Sequence, residues 1–228
     1  MPAYASWFRV HPRIILAQAE ASIAQLADPG CAAELVDLQL VGVDTPTFRV
    51  QLTLAVGVLA DHLASQAQAA ARLEAARTDR ARAAERFFSW RGRLFARLRL
   101  AARQGADPER SFASVFGYRK VPQARAAGLV QHGEMLFSAL DARAASLSSR
   151  GMAAAFLAEG RALYRSLCAL HAEVEDATAD RKSETAAVQG ACAAVREQLL
   201  ILVAADDAAA LEVGRSPVFT LAVLRPPT

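Results

Sequence analysis

The stretch CALHAEVE, residues 168–175, sets Cys168, His171 and Glu175 at steps of three and four. That spacing puts three metal-binding side chain types on one helical face. Zinc takes three or four such ligands, and one helix supplies two or three here, so these residues read as packing groups and no metal is expected. Cys192 could join them only if the chain reversed near residue 180. None of the four histidines follows a glutamate by three positions, which argues against carboxylate-bridged di-iron bundles. GxGxxG, P-loop and GxSxG patterns are absent, so dinucleotide, nucleoside triphosphate and α/β-hydrolase chemistry have no support. Asp61 and His62 are neighbours and splay by about 100° on a helix, a poor catalytic pair. No catalytic residue and no cofactor is assigned, and the chain reads as non-enzymatic.

A second set of polar residues interrupts two apolar stripes. Leu59, Leu63, Gln66, Ala70, Leu73, Arg77, Arg80, Ala84 and Phe87 follow one another in steps of four and three. Phe156 to Val195 repeats the spacing, with Arg181 and Glu184 in mid-stripe. This is bundle or coiled-coil periodicity. Arg77, Arg80, Arg181 and Glu184 therefore form a candidate polar seam. Three readings are open: charges where each helix meets solvent, a buried layer fixing register, or the lining of a small-ligand site in a bundle.

The loudest local signal is RFFSWRGRLFARLRLAARQ, residues 86–104, with six arginines and no acid. At 100° per residue, Phe87, Phe88, Trp90, Leu94, Phe95, Leu98, Ala101 and Ala102 share an arc of about 160°. Arg86, Arg93, Arg97, Arg99 and Arg103 lie outside it and form a candidate basic surface. Arg91 is the one cation inside the arc, so if buried it needs a carboxylate or carbonyl partner. Residues 47–104 carry 11 basic and 4 acidic side chains, while residues 151–214 carry 5 basic and 10 acidic. The later segment can therefore neutralise much of the earlier one, in the same chain or in a second subunit.

The elements that must position these residues read mainly as helices. A first helix runs from Pro12 to about Ala27 and ends at DPG (28–30). Asp44 or Thr45 caps a long helix with Pro46 in its first turn, extending to Gln104 with room for a bend. Pro122 opens a helix to about Ser148, and a second long helical region spans Met152 to about Ala210, ending near Gly214. Residues 36–43 alternate apolar and polar, and residues 218–224 are rich in β-branched and apolar residues and fenced by prolines. These two are expected to pair as a two-stranded ribbon. ARTDRARAAE (76–85) resembles ATADRKSETA (177–186), which raises an internal repeat of about 47–117 and 151–214. The expected fold is all-α: one domain over 1–228, an elongated antiparallel bundle of four or five helices, two of them long.

Composition bounds the function without specifying it. The chain has 228 residues, a net charge of +3 and 54% hydrophobic residues, many of them alanine. Three dispersed cysteines, Cys31, Cys168 and Cys192, suit a reducing, cytoplasmic setting. No uninterrupted apolar run approaches the length of a membrane span. The expectation is a structural or interaction module that self-associates or binds another protein. The routes offered are a helical face or an edge strand at Val218, Phe219, Leu221 and Val223. The alternative is binding of a membrane surface or polyanion through residues 86–104; nucleic acid is disfavoured because no recognised binding motif accompanies the charge.

Overall fold

A computed structural model describes residues 10–35, 42–104, 126–149 and 152–219. Among them every regular element is a helix: α1 (Pro12–Leu26), α2 (Pro29–Glu34), α3 (Thr45–Gln104), α4 (Ala126–Ala142), α5 (Ala144–Ser149) and α6 (Ala154–Val213). The all-α expectation holds. The chain divides into two compact units, the first of Met1–Ala69 with Arg181–Thr228 and the second of Ala70–Asp180.

Caps set where the helices of the first unit begin, at Asp44 as the sequence announces and at Asp28, where the expected stop signal also starts a short helix. Pro12 opens α1, and Asp28 caps α2 by accepting from the Gly30 N–H at 3.0 Å. Asp44 caps α3, its Oδ1 accepting from the Thr47 N–H at 2.7 Å. The hydrogen bonds from Thr47 hold the Asp44 carboxyl below its usual range, since they favour the charged form. The core joins Ile15, Ala19 and Leu26 of α1, Phe48, Leu52, Val56 and Leu59 of α3, and Val188, Val195, Leu199 and Leu202 of α6. Full burial of one such aliphatic side chain contributes about 1.5–3 kcal/mol, so this stripe, rather than the alanines, carries the unit's stability.

α6 ends on Gly214, whose φ of +72° reverses the chain so that the Arg215 N–H reaches the Ala210 carbonyl at 3.0 Å. Beyond the turn, Asp206 fixes the path of the chain. This aspartate is fully buried, and its Oδ2 accepts from the Phe219 N–H at 2.7 Å while Oδ1 accepts from Arg215 Nη2 at 2.8 Å. Phe219 is thereby seated in the core. Of the expected ribbon, Gly42, Val43, Val218 and Phe219 are described and none is in a strand; residues 36–41 and 220–224 lie outside the described residues. The apolar character that suggested an edge strand serves, at Phe219, to fill the core.

The second unit packs α4 against the facing parts of α3 and α6. Phe87, Trp90, Phe137, Phe156 and Tyr164 stack with ring centroids 5.3–6.3 Å apart. The Trp90 indole N–H donates to the Phe156 carbonyl at 3.0 Å, so its polar atom is satisfied inside the core. Two glycines let the helices close on these rings. A Cβ at Gly160 would collide with the Trp90 ring, and one at Gly133 would collide with the Tyr164 ring. α3 is one helix from Thr45 to Gln104, without the break the sequence left room for.

α6 contains an 18-residue window of mean hydropathy 1.4, which by length and composition alone would suffice to cross a membrane. A count of uninterrupted apolar runs passes over this window, because the average tolerates scattered charges. Val188, Val195, Leu199 and Leu202 of this helix face the core of the first unit, and 33% of the window is buried.

Candidate functional site

The structure distributes the polar seam among local partners. In the second unit Arg77 approaches Glu74 of its own helix at 3.8 Å, both exposed, and Arg80 Nη1 lies 3.5 Å from His171 Nδ1. In the first unit His62 Nδ1 lies 3.6 Å from Glu184 Oε2, and Gln66 Nε2 donates to Thr185 Oγ1 at 3.2 Å. Arg181 is exposed. His62 thus faces Glu184 rather than Asp61, and His171 faces Arg80 rather than a metal-binding set. Among the described residues no three potential metal ligands converge. The described cysteines are free thiols, and burial pushes the Cys192 thiol up, away from nucleophilic use. The Tyr164 phenol is pushed up to about 12, first by burial and then by its contact with Cys168.

The basic surface is partly engaged within its own unit. Arg86, Arg93, Arg97 and Arg99 are exposed. Arg93 Nη2 pairs with Glu159 at 2.6 Å, and Arg97 stacks over the Phe156 ring at 3.9 Å. Arg99 Nε reaches back to the Phe95 carbonyl at 3.4 Å, and the Arg103 side chain lies outside the described residues. Arg91 is buried, as its place on the apolar arc required. Its Nε donates to His132 Nε2 at 2.8 Å, and its guanidinium lies over the Phe95 ring at 4.6 Å. His132 thus contributes an imidazole acceptor to Arg91, a kind of partner the sequence did not point to. Burial first, and then the Arg91 charge, lower the His132 pKa to about 4, so the ring stays neutral and can accept.

Phe219 is buried and Val218 exposed, while Leu221 and Val223 lie outside the described residues. The surface that stands out is elsewhere. On α3, Val50, Leu54 and Val58 are 54%, 65% and 50% exposed and follow one another one turn apart. Phe48, Leu52, Val56 and Leu59 of the same turns face the core. The sequence carried a signal for this ridge: in FRVQLTLAVGVL, residues 48–59, Val50, Leu54 and Val58 recur one turn apart beside the core stripe of Phe48, Leu52, Val56 and Leu59, an apolar arc wider than a single packed face.

A cleft of about 290 Å³ in the second unit is lined by Asp79, Arg82, Arg86, Leu163, Ser166 and Leu170. Arg82 there already meets Asp79 at 3.4 Å.

The chain matches no family model, no curated protein and no solved structure.

Proposed function

We propose that the protein is a non-catalytic helical interaction module that self-associates. On this reading its helices form an antiparallel bundle of four or five members, and its free cysteines suit a reducing, cytoplasmic setting. The observation that supports it is the exposed apolar ridge of Val50, Leu54 and Val58 on a helix whose other side is already core. Contiguous apolar surface of this kind marks interaction sites. The exposed helical face is preferred to the C-terminal segment as the route, because Phe219 of that segment is committed to the core, while Leu221 and Val223 lie outside the described residues. Sedimentation equilibrium of the full chain at about 100 µM, a concentration that populates even modest complexes, should give twice the chain mass of 24.3 kDa. A particle of 24.3 kDa under those conditions would overturn the reading.

A second reading, attachment to an anionic membrane surface or polyanion through residues 86–104, draws support from Phe88 and Leu100, both exposed beside arginines. It expects binding to phosphatidylserine vesicles or mixed-sequence DNA that disappears with added salt.

A further inference from the structure

Resting on the self-association reading, we propose that the Val50–Leu54–Val58 ridge is a two-fold contact. In it, α3 of one copy lies antiparallel on α3 of a second copy with the dyad at Leu54. A two-fold interface requires a patch that complements itself. This ridge reads the same in both directions, with valine four residues before and four residues after Leu54. Antiparallel pairing sets Val50 against Val58 of the second copy, twice, and Leu54 against its own counterpart. Beside Leu54, nothing lies within 4 Å of where a Cβ on Gly57 would stand. That exposed depression in mid-helix can receive an incoming leucine, and it gives a reason for a residue that helix propensity disfavours.

Charge selects the orientation. On this face the ridge ends at Thr47 and Asp61, each seven residues from Leu54 and both exposed. A parallel pairing would bring Asp61 against Asp61, a like-charge contact, whereas the antiparallel pairing sets Asp61 against Thr47. Antiparallel helices also oppose their dipoles favourably. The result is an apolar centre with a polar rim, the anatomy of a protein interface. The ridge rises only about 12 Å along the helix, so the association belongs to the reversible, concentration-dependent class.

The test is made on the full chain. Leu54→Cys, oxidised with oxidised glutathione, should yield a covalent dimer whose tryptic digest contains, by mass spectrometry, a peptide pair bridged at position 54 of both copies. A mixture of isotope-labelled Val50→Cys chains with unlabelled Val58→Cys chains should yield the mixed-isotope 50–58 peptide pair in excess over the 50–50 and 58–58 pairs. Leu54→Glu, at a site 65% exposed, should keep the helical circular dichroism signal and the melting temperature while weakening self-association at least about tenfold. If Leu54→Glu leaves the doubled mass intact, or the doubled mass persists with no 54–54 peptide, the dyad is elsewhere and this proposal falls while self-association stands. A wild-type particle of 24.3 kDa at about 100 µM overturns both.

Discussion

Two buried polar residues show how much a single position decides. Arg91 was legible in the sequence as the one cation on an apolar arc, but its contact with His132 was not. His132 lies 41 residues away on another helix, and only packing brings it there. The pair makes stability depend on pH. His132 titrates near 4 in the folded chain against 6.5 unperturbed, so between those values the unfolded chain takes up a proton that the folded chain refuses. Stability is fully present above about pH 6.5 and is lost as pH falls towards 4, with a slope of at most about 1.4 kcal/mol per pH unit for one group. His132→Gln keeps a neutral acceptor and removes the titration. Chemical denaturation at pH 7 and pH 5 should therefore show the wild type losing more stability than the variant, and parallel losses would contradict the assignment. Asp206 was not legible at all, being one of two adjacent aspartates in an alanine-rich run. Asp206→Ala leaves the Phe219 N–H without its acceptor inside the core and should cost about 1–3 kcal/mol in urea denaturation. Asp207→Ala, its neighbour on an exposed site, should stay within about 0.5 kcal/mol.

At the scale of elements, the helices were legible because their ends obey local rules. Asp44 caps where the sequence put a cap, Asp28 of the expected stop signal also caps the short α2 that the sequence did not announce, and Gly214 takes the positive φ that ends α6. The aromatic face of residues 87–98 was legible from its period alone, and Phe87, Trp90, Leu94, Phe95 and Leu98 are buried. What the pattern could not give was the depth of contact between helices, which rests on residues without side chains. Gly160 is the sharpest case, since an added methyl would collide with a Trp90 ring that is fully buried and hydrogen-bonded, and so cannot swing aside. Alanine is the better helix former by about 1 kcal/mol, yet overpacking costs typically about 1–3 kcal/mol. Gly160→Ala should lower stability despite its propensity gain, whereas Gly190→Ala, in open space on the same helix, should raise it or leave it unchanged. A thermal melt of both variants checks the order, and a stabilised Gly160→Ala would show that Trp90 has room to move.

For the whole molecule, two forces can bring copies together, and only one of them is weakened by salt. Residues 47–104 carry an excess of basic groups and residues 151–214 an excess of acidic ones, so one copy could in principle pair its basic segment with the acidic segment of another. Part of that charge is already used within the second unit, where Arg93 meets Glu159 and Arg97 lies on Phe156. Exposed ion pairs are worth only about 0–1 kcal/mol each and are screened. The ridge of Val50, Leu54 and Val58, by contrast, holds no charge between Thr47 and Asp61 on its face, and burial of apolar surface is not weakened by simple salt. Association through the ridge should therefore keep its dissociation constant within about twofold between about 0.05 and about 0.5 M sodium chloride, a range over which the Debye length falls roughly threefold. Sedimentation equilibrium at the two salt concentrations measures this directly. A complex that dissociates as salt rises would transfer the contact from the apolar ridge to the charged faces, because only the latter lose their attraction when the screening length shortens.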